Sequence, residues 1–226
     1  MRRTIKMSYI KRIVYLVLGT FILSVGIVMT MQANLGYAPW DVFHRGISDT
    51  IGMSIGSVSI VASLVISAVV VLLGEKLGFG TIVNIFAIGI YMDILLEIIP
   101  EMQSFGSGLI MLILGLFICA FSTYLYIASG FGAGPRDSLM VALERLTKLS
   151  VGVCRGTIEV VVCIVGWLLG GPVGMGTIIS AFGIGVCVQL IFSWVKFDAT
   201  GVKHETINET IKNLKGFLKR TLKEDA

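Results

Sequence analysis

Residues 72–82 read LLGEKLGFGTI, and residues 168–178 read LLGGPVGMGTI. The two stretches stand 96 positions apart and share LLG, then GxGT and an isoleucine, without a gap. The same interval carries outward in both directions. Gly19 and Phe21 register with Gly115 and Phe117, and Gly36, Pro39 and Asp41 with Gly132, Pro135 and Asp137. Ser54 and Gly56 register with Ser150 and Gly152, and Phe86, Ile88 and Gly89 with Phe182, Ile184 and Gly185. From Ile13 and Leu109 onward, 22 of 86 aligned pairs are identical. Aliphatic matches arise between any two apolar helices, but matched Gly, Pro and Asp do not. The chain therefore reads as one unit used twice.

The material around these motifs is apolar. Of 226 residues, 55% are hydrophobic and 14% charged, and mean hydropathy is +0.91. Soluble domains carry roughly 25% charged residues. A soluble domain of this length lacks the interior to hide so much apolar surface, so lipid must be its solvent. Six stretches are long enough to span, at 13–32, 54–74, 80–99, 107–128, 151–170 and 174–195. The run from Ile13 to Met31 follows a basic start and has no small-x-small cleavage site, so it reads as an uncleaved first span. Each unit holds three spans, and an odd number of crossings turns the second copy upside down. The expected architecture is an all-α integral membrane protein of six transmembrane helices plus two short ones, built as an inverted-topology repeat. Its divisions are a basic N-terminus at 1–12, a first repeat at 13–99, a second at 107–195 and a tail at 196–226.

Charge sets the expected orientation. The formal net charge is only +4, but the sidedness is steep. With the N-terminus inside, 17 of the 18 Lys and Arg residues fall on the inner side, and Arg45 alone falls outside. That asymmetry puts both termini in the cytoplasm of a bacterial inner membrane. The tail places Ile207, Ile211, Leu214, Leu218 and Leu222 on one stripe among lysines. It reads as a basic amphipathic helix on the inner leaflet or a contact in a homo-oligomer.

Two polar-interrupted segments, at 33–53 and 129–150, lie between the first and second spans and between the fourth and fifth. Each has glycines, then Pro39 or Pro135, then Asp41 or Asp137 two residues later. Proline suits a first helical turn, and an acid there meets unsatisfied N–H groups and the positive helix end. Both helices are too short to span. Asp41, His44, Arg45, Ser48 and Asp49 share one face of the first, against Phe43, Ile47 and Ile51. Two placements fit: an amphipathic helix on the membrane surface, or a re-entrant half-helix lining a polar cavity. Arg136 beside the second helix start could join those N–H groups in holding an anion.

Polar residues at membrane depth are the candidate site. Arg155 and Glu159 are four apart on the fifth span and share a face. They form either a structural ion pair or a coupling-proton or substrate site. Asp93 and Gln189 are repeat-related, as are Asn84 and Ser180; each pair reads as facing cavity walls or as helix–helix hydrogen bonds. Ser59, Ser63 and Ser67 read as a small-residue packing seam. Thr81 and Thr177 cap helices or line the cavity.

Nothing in the sequence points to an enzyme. The four cysteines lie in apolar runs with no CxxC, the two histidines are far apart, and no nucleotide, nucleophile-elbow or zinc-protease motif is present. No metal site or cofactor is expected. The expected partners are the lipid bilayer and a small-molecule substrate, with no nucleic acid.

The stretches LGYAPWDVFHRGIS, at 35–48, and GFGAGPRDSLMVALERLTKLSVGVCRGTIEVVVCIVGWLLGGPVGMGTIISAFGIG, at 130–185, resemble the YczE/YitT-type family of bacterial multi-pass membrane proteins. The resemblance covers about 15–195. Its most specific part is Gly134, Pro135, Arg136 and Asp137 followed by Arg155 and Glu159; Ala38 stands where the first-copy motif usually has glycine. The family implies an inner-membrane protein and no established reaction. The functional expectation is a small secondary transporter or exporter, with proton coupling an option, acting through Glu159, Arg155, Asp137, Arg136, Asp41, Asp93 and Gln189. The alternative is a non-transporting scaffold or regulatory subunit with a structural charge pair.

Overall fold

The computed structural model describes residues 9–202 and 204–214. Among these, six helices are long and apolar enough to cross a membrane: α1 (Tyr9–Gln32), α3 (Ile55–Leu72), α4 (Phe79–Ile98), α5 (Phe105–Ser129), α7 (Val151–Leu168) and α8 (Met175–Trp194). Two are short, α2 (Pro39–Ile51) and α6 (Pro135–Thr147). The chain is a multi-pass membrane protein with an all-α fold.

The helix boundaries follow local chemistry. Ser54, Ser104 and Ser150 are N-caps whose side chains accept from the backbone N–H three residues on. Thr81 and Thr177 do the same work in reverse: each Oγ1 accepts from the N–H of the preceding Gly78 or Gly174. The proline at N1 opens both short helices, where no donor is lost. Positive φ recurs at the 96-residue interval: Asn34 and Gly130, Gly36 and Gly132, Gly52 and Lys148, Gly74 and Gly170.

Helices α1 and α5 form the centre. They approach closely because Gly19, Gly26 and Gly115 leave no side chain between backbones; a Cβ at Gly26 would stand 2.8 Å from the Cys119 nitrogen. Helix α4 packs on α1, and α8 on α5. The short helices cross over: α2 packs on α7, and α6 on α3. Buried clusters form on each side of the centre, around Val28, Met31 and Met92 and around Leu116, Ala120 and Cys187.

The two GxGT motifs lock the approaches to the short helices. Gly80 N–H donates to Phe131 C=O at 2.8 Å just before α6, and Gly176 N–H donates to Leu35 C=O at 2.6 Å just before α2. Glycine is required because a Cβ at Gly174 would meet the Leu35 carbonyl at 2.5 Å, and one at Gly78 would run into that of Phe131.

The connections gather at two ends of the bundle. At one, Arg12 donates to the carbonyls of Ser129 and Gly130, pairs with Glu205 and stacks on Phe131 at 4.5 Å; Arg145 pairs with Glu75 at 3.2 Å. At the other, Gln32 bonds Ile99 C=O at 2.5 Å and Tyr37 N–H bonds Pro172 C=O at 3.0 Å. A helical stretch over 207–214 begins with a capping box, Thr206 N–H to Glu209 at 2.8 Å and Glu209 N–H to Thr206 at 3.4 Å. Its Ile211 and Leu214 are exposed. Leu218 and Leu222 of the expected stripe, and Arg2, Arg3 and Lys6, lie outside the described residues.

Candidate functional site

All eight helices contribute to one central cavity of about 210 Å³. The short helices begin there: Pro39, Trp40 and Asp41 from α2, and Pro135, Arg136 and Asp137 from α6, line it together. Helix α2 is largely buried against its neighbours. Of its polar face, Asp41, His44 and Ser48 are buried, while Arg45 is half-buried and Asp49 exposed; opposite them Ile47 and Phe43 are half-buried and Ile51 is exposed. The buried polar groups therefore have protein, not solvent, to face. Helix α6 enters the same way, but its second half is exposed. Arg136 therefore sits in the cavity rather than at an interface.

The lining pairs off. Every lining residue except Leu116 has a partner 96 positions away that also lines the cavity. Asp41 has Asp137 as its counterpart, Trp40 has Arg136, Asn84 has Ser180 and Thr30 has Tyr126. Arg155 and Glu159 correspond to Ser59 and Ser63. Those two serines are thus cavity walls and not only a packing seam. Ser67, one turn further along, is buried without lining it.

The charged groups form a small network. Arg155 Nε donates to Glu159 Oε1 at 2.8 Å across one helical turn. Tyr126 donates its hydroxyl proton to Asp137. The Arg136 guanidinium lies 4.6 Å over the Trp40 ring, a cation–π stack. Its NH2 group stands 3.4 Å from His44 Nε2. Arginine can only donate, so that imidazole nitrogen accepts and the ring carries its proton on Nδ1. Nδ1 faces Asp41 Oδ1 at 3.6 Å, beyond hydrogen-bond distance. Asp41 Oδ1 is buried with no hydrogen-bond partner, and so is Ser180 Oγ.

Of the seven expected site residues, five converge: Glu159, Arg155, Asp137, Arg136 and Asp41. Asp93 and Gln189 do not reach the cavity. Asp93 accepts from Ser54 Oγ at 2.6 Å and from Gly56 N–H at 2.8 Å, so it straps the start of α3 to α4. Gln189 is exposed on the flank of α8. Shared repeat position does not make them shared walls, because both sit beyond the depth at which α4 and α8 face the centre. The sequence reading missed Tyr126, Trp40, Ser59 and Ser63 as cavity residues. The signal for the serines was available: they lie 96 positions before the charged pair.

The model of the family of unknown function DUF6198 matches residues 10–193. The chain belongs to that family. An uncharacterized protein of Haemophilus influenzae is 36% identical over 81% of this chain and 84% of its own length. The uncharacterized membrane protein YczE of Bacillus subtilis is 29% identical over 81% and 86%. The uncharacterized protein YyaS of Bacillus subtilis is 28% identical over 74% and 85%. No solved structure matches. The matched span ends before the tail, so the shared part is the helical bundle that builds the cavity.

Proposed function

We propose that the protein is a small secondary transporter, built as an inverted-topology repeat and working by alternating access. One observation carries the reading. The cavity walls are the same positions of two units, yet the units differ in one place. Helix α3 packs along α4, and a Cβ at Gly89 would stand 2.6 Å from the Gly56 carbonyl. The corresponding Gly152 of α7 and Gly185 of α8 have nothing within 4 Å of their Cβ positions. Two mirrored units held in two conformations make one state of a pair, and exchanging the conformations would open the other end.

The separation of α7 from α8 lies at the end that carries Arg12, Arg145 and Lys148. By the charge asymmetry that end is cytoplasmic, so the state is inward-open and both termini are inside. The short helices are re-entrant half-helices in this reading, entering from opposite faces. Glu159, paired with Arg155 and facing the cavity, is the coupling-proton candidate. The closed Arg155–Glu159 pair also favours a second reading, a non-transporting scaffold pinned by that pair.

Proteoliposomes carrying a pH dye decide between the two. A panel of small solutes is added with wild type and Glu159→Gln. The transporter reading expects at least one solute to drive proton movement through wild type and none through folded Glu159→Gln. Wild-type protein that moves neither solute nor proton, with Glu159→Gln merely less stable, supports the scaffold.

A further inference from the structure

We infer that the cavity binds a small monovalent organic cation, a protonated amine or guanidinium, with Asp41 as its counter-ion. The inference rests on the cavity being the protein's binding site. The lining holds three carboxylates, Asp41, Asp137 and Glu159, and two guanidiniums, Arg136 and Arg155. His44 adds no charge, because its Nε2 accepts from Arg136. The lining therefore carries one negative charge in excess, which a bound cation would offset.

With Glu159 paired to Arg155, the excess falls on the two aspartates, which have one guanidinium, Arg136, between them. Glu159 has Arg155 at 2.8 Å, and Asp137 has the Tyr126 hydroxyl. Asp41 is 4% exposed and lines the cavity, and it is the less satisfied of the two: its Oδ1 has only the His44 Nδ1–H facing it, at 3.6 Å. A cation beside Asp41 brings the lining to neutrality. An anion would double the imbalance, and Arg136 is already engaged, by its face on Trp40 and by its NH2 group on His44.

The rest of the lining selects an organic ion. Leu23, Ile27, Ile85, Ile88, Leu116 and Ile184 give apolar walls that suit hydrocarbon and not a hydration shell. Among the described residues no three His, Cys, Asp or Glu side chains come together as a metal-ligating group. The volume of about 210 Å³ is below the roughly 300–1,000 Å³ typical of drug-sized ligands, so the cation is small.

Trp40 reports on occupancy. The other two tryptophans, Trp167 and Trp194, are exposed and can be changed to Phe. The resulting protein is titrated in detergent with four isosteric probes: propylammonium, propylguanidinium, propionate and 1-propanol. The expected result is saturable change in Trp40 emission with the two cations, and binding at least tenfold weaker for propionate and propanol. Asp41→Asn is expected to weaken cation binding at least tenfold, the scale of a charge-assisted hydrogen bond. Asp49→Asn, on the same helix but outside the cavity, is expected to leave it unchanged. If Asp41→Asn does not fold, the probe order in the parent protein decides alone. Propionate binding as well as or better than the cations, propanol matching them, or no probe binding overturns the inference. The measurement is made at equilibrium without a membrane. A cation that binds but never crosses leaves this inference standing and defeats the transporter reading; a neutral or anionic solute that crosses does the reverse.

Discussion

Helices α3 and α4 share their repeat positions with α7 and α8, yet only the first pair is closed. In α3 and α4, Gly56 lies against the Gly89 backbone and Asp93 holds the Gly56 N–H at 2.8 Å. In α7 and α8 the matching glycines meet nothing, and Gln189, where Asp93 would be, is exposed. Helix α7 buries only Cys154 and Gly166 along its whole length. The glycines do not explain the difference, because Gly152 and Gly185 are as small as their counterparts; the strap from Asp93, absent at Gln189, is the change at the seam. The two pairs carry matching glycines, and in one of them those glycines are packed together. Two matched seams in different states are what the proposed exchange between conformations requires.

The comparison breaks most readily at the glycines. Gly56→Leu drives a side chain into the Gly89 carbonyl and is expected to cost about 3 kcal/mol or more, read as loss of folded yield and of thermal stability. Gly152→Leu meets open space here and is expected to change stability by less than about 0.5 kcal/mol. The same substitution is expected to abolish solute movement in proteoliposomes, since α7 could no longer close on α8. Equal destabilisation by both would mean that the second seam is already closed.

The strap comes next. Asp93→Ala removes acceptors from Ser54 and Gly56 and is expected to cost about 1–2 kcal/mol in a denaturation assay. Gln189→Ala is expected to cost nothing measurable there.

Backbone strain gives a smaller contrast. Gly52 and Lys148 both end a short helix in the left-handed region, at φ 71° and 58°. Lysine is strained there and glycine is not. Lys148→Gly is expected to stabilise by about 1 kcal/mol and Gly52→Ala to destabilise by about the same, read as opposite shifts in melting temperature.

The smallest effect is at the tail. Hydrogen bonds from the Thr206 N–H and then its hydroxyl hold the Glu209 carboxyl below the ordinary glutamate range. The cap is therefore complete above that range and is lost as pH falls through the lowered value. Carbon-13 shifts over 207–214 are expected to lose helicity on acidification, and Glu209→Gln is expected to blunt the change.

Much of this was legible before any coordinates. Apolar length gives the six spans, and matched Gly, Pro, Asp and Thr give the interval that pairs the cavity walls. Pro135, Arg136 and Asp137 with Arg155 and Glu159 identify the charged wall of the second half of the lining. What the sequence hides is which side of a polar residue is occupied. Asp93 and Asp41 are both acids in apolar surroundings, but Asp93 finds a helix start to cap and Asp41 finds a cavity. The serines at 59 and 63 look like any small-residue stripe until the charged pair is laid over them. The orientation of α2 is hidden for a related reason: amphipathicity fixes that a helix has two faces, not whether lipid or water takes the apolar one.

Spin-label distances test the exchange most directly. In a cysteine-free protein reconstituted in lipid, one sample is labelled at positions 57 and 90 on α3 and α4, and a second at the matching positions 153 and 186 on α7 and α8. The account predicts two distance populations in each sample, short and long, that shift in opposite directions when the cation probes or the pH are changed. A 153–186 distance that stays long under every condition, while 57–90 stays short, would contradict it.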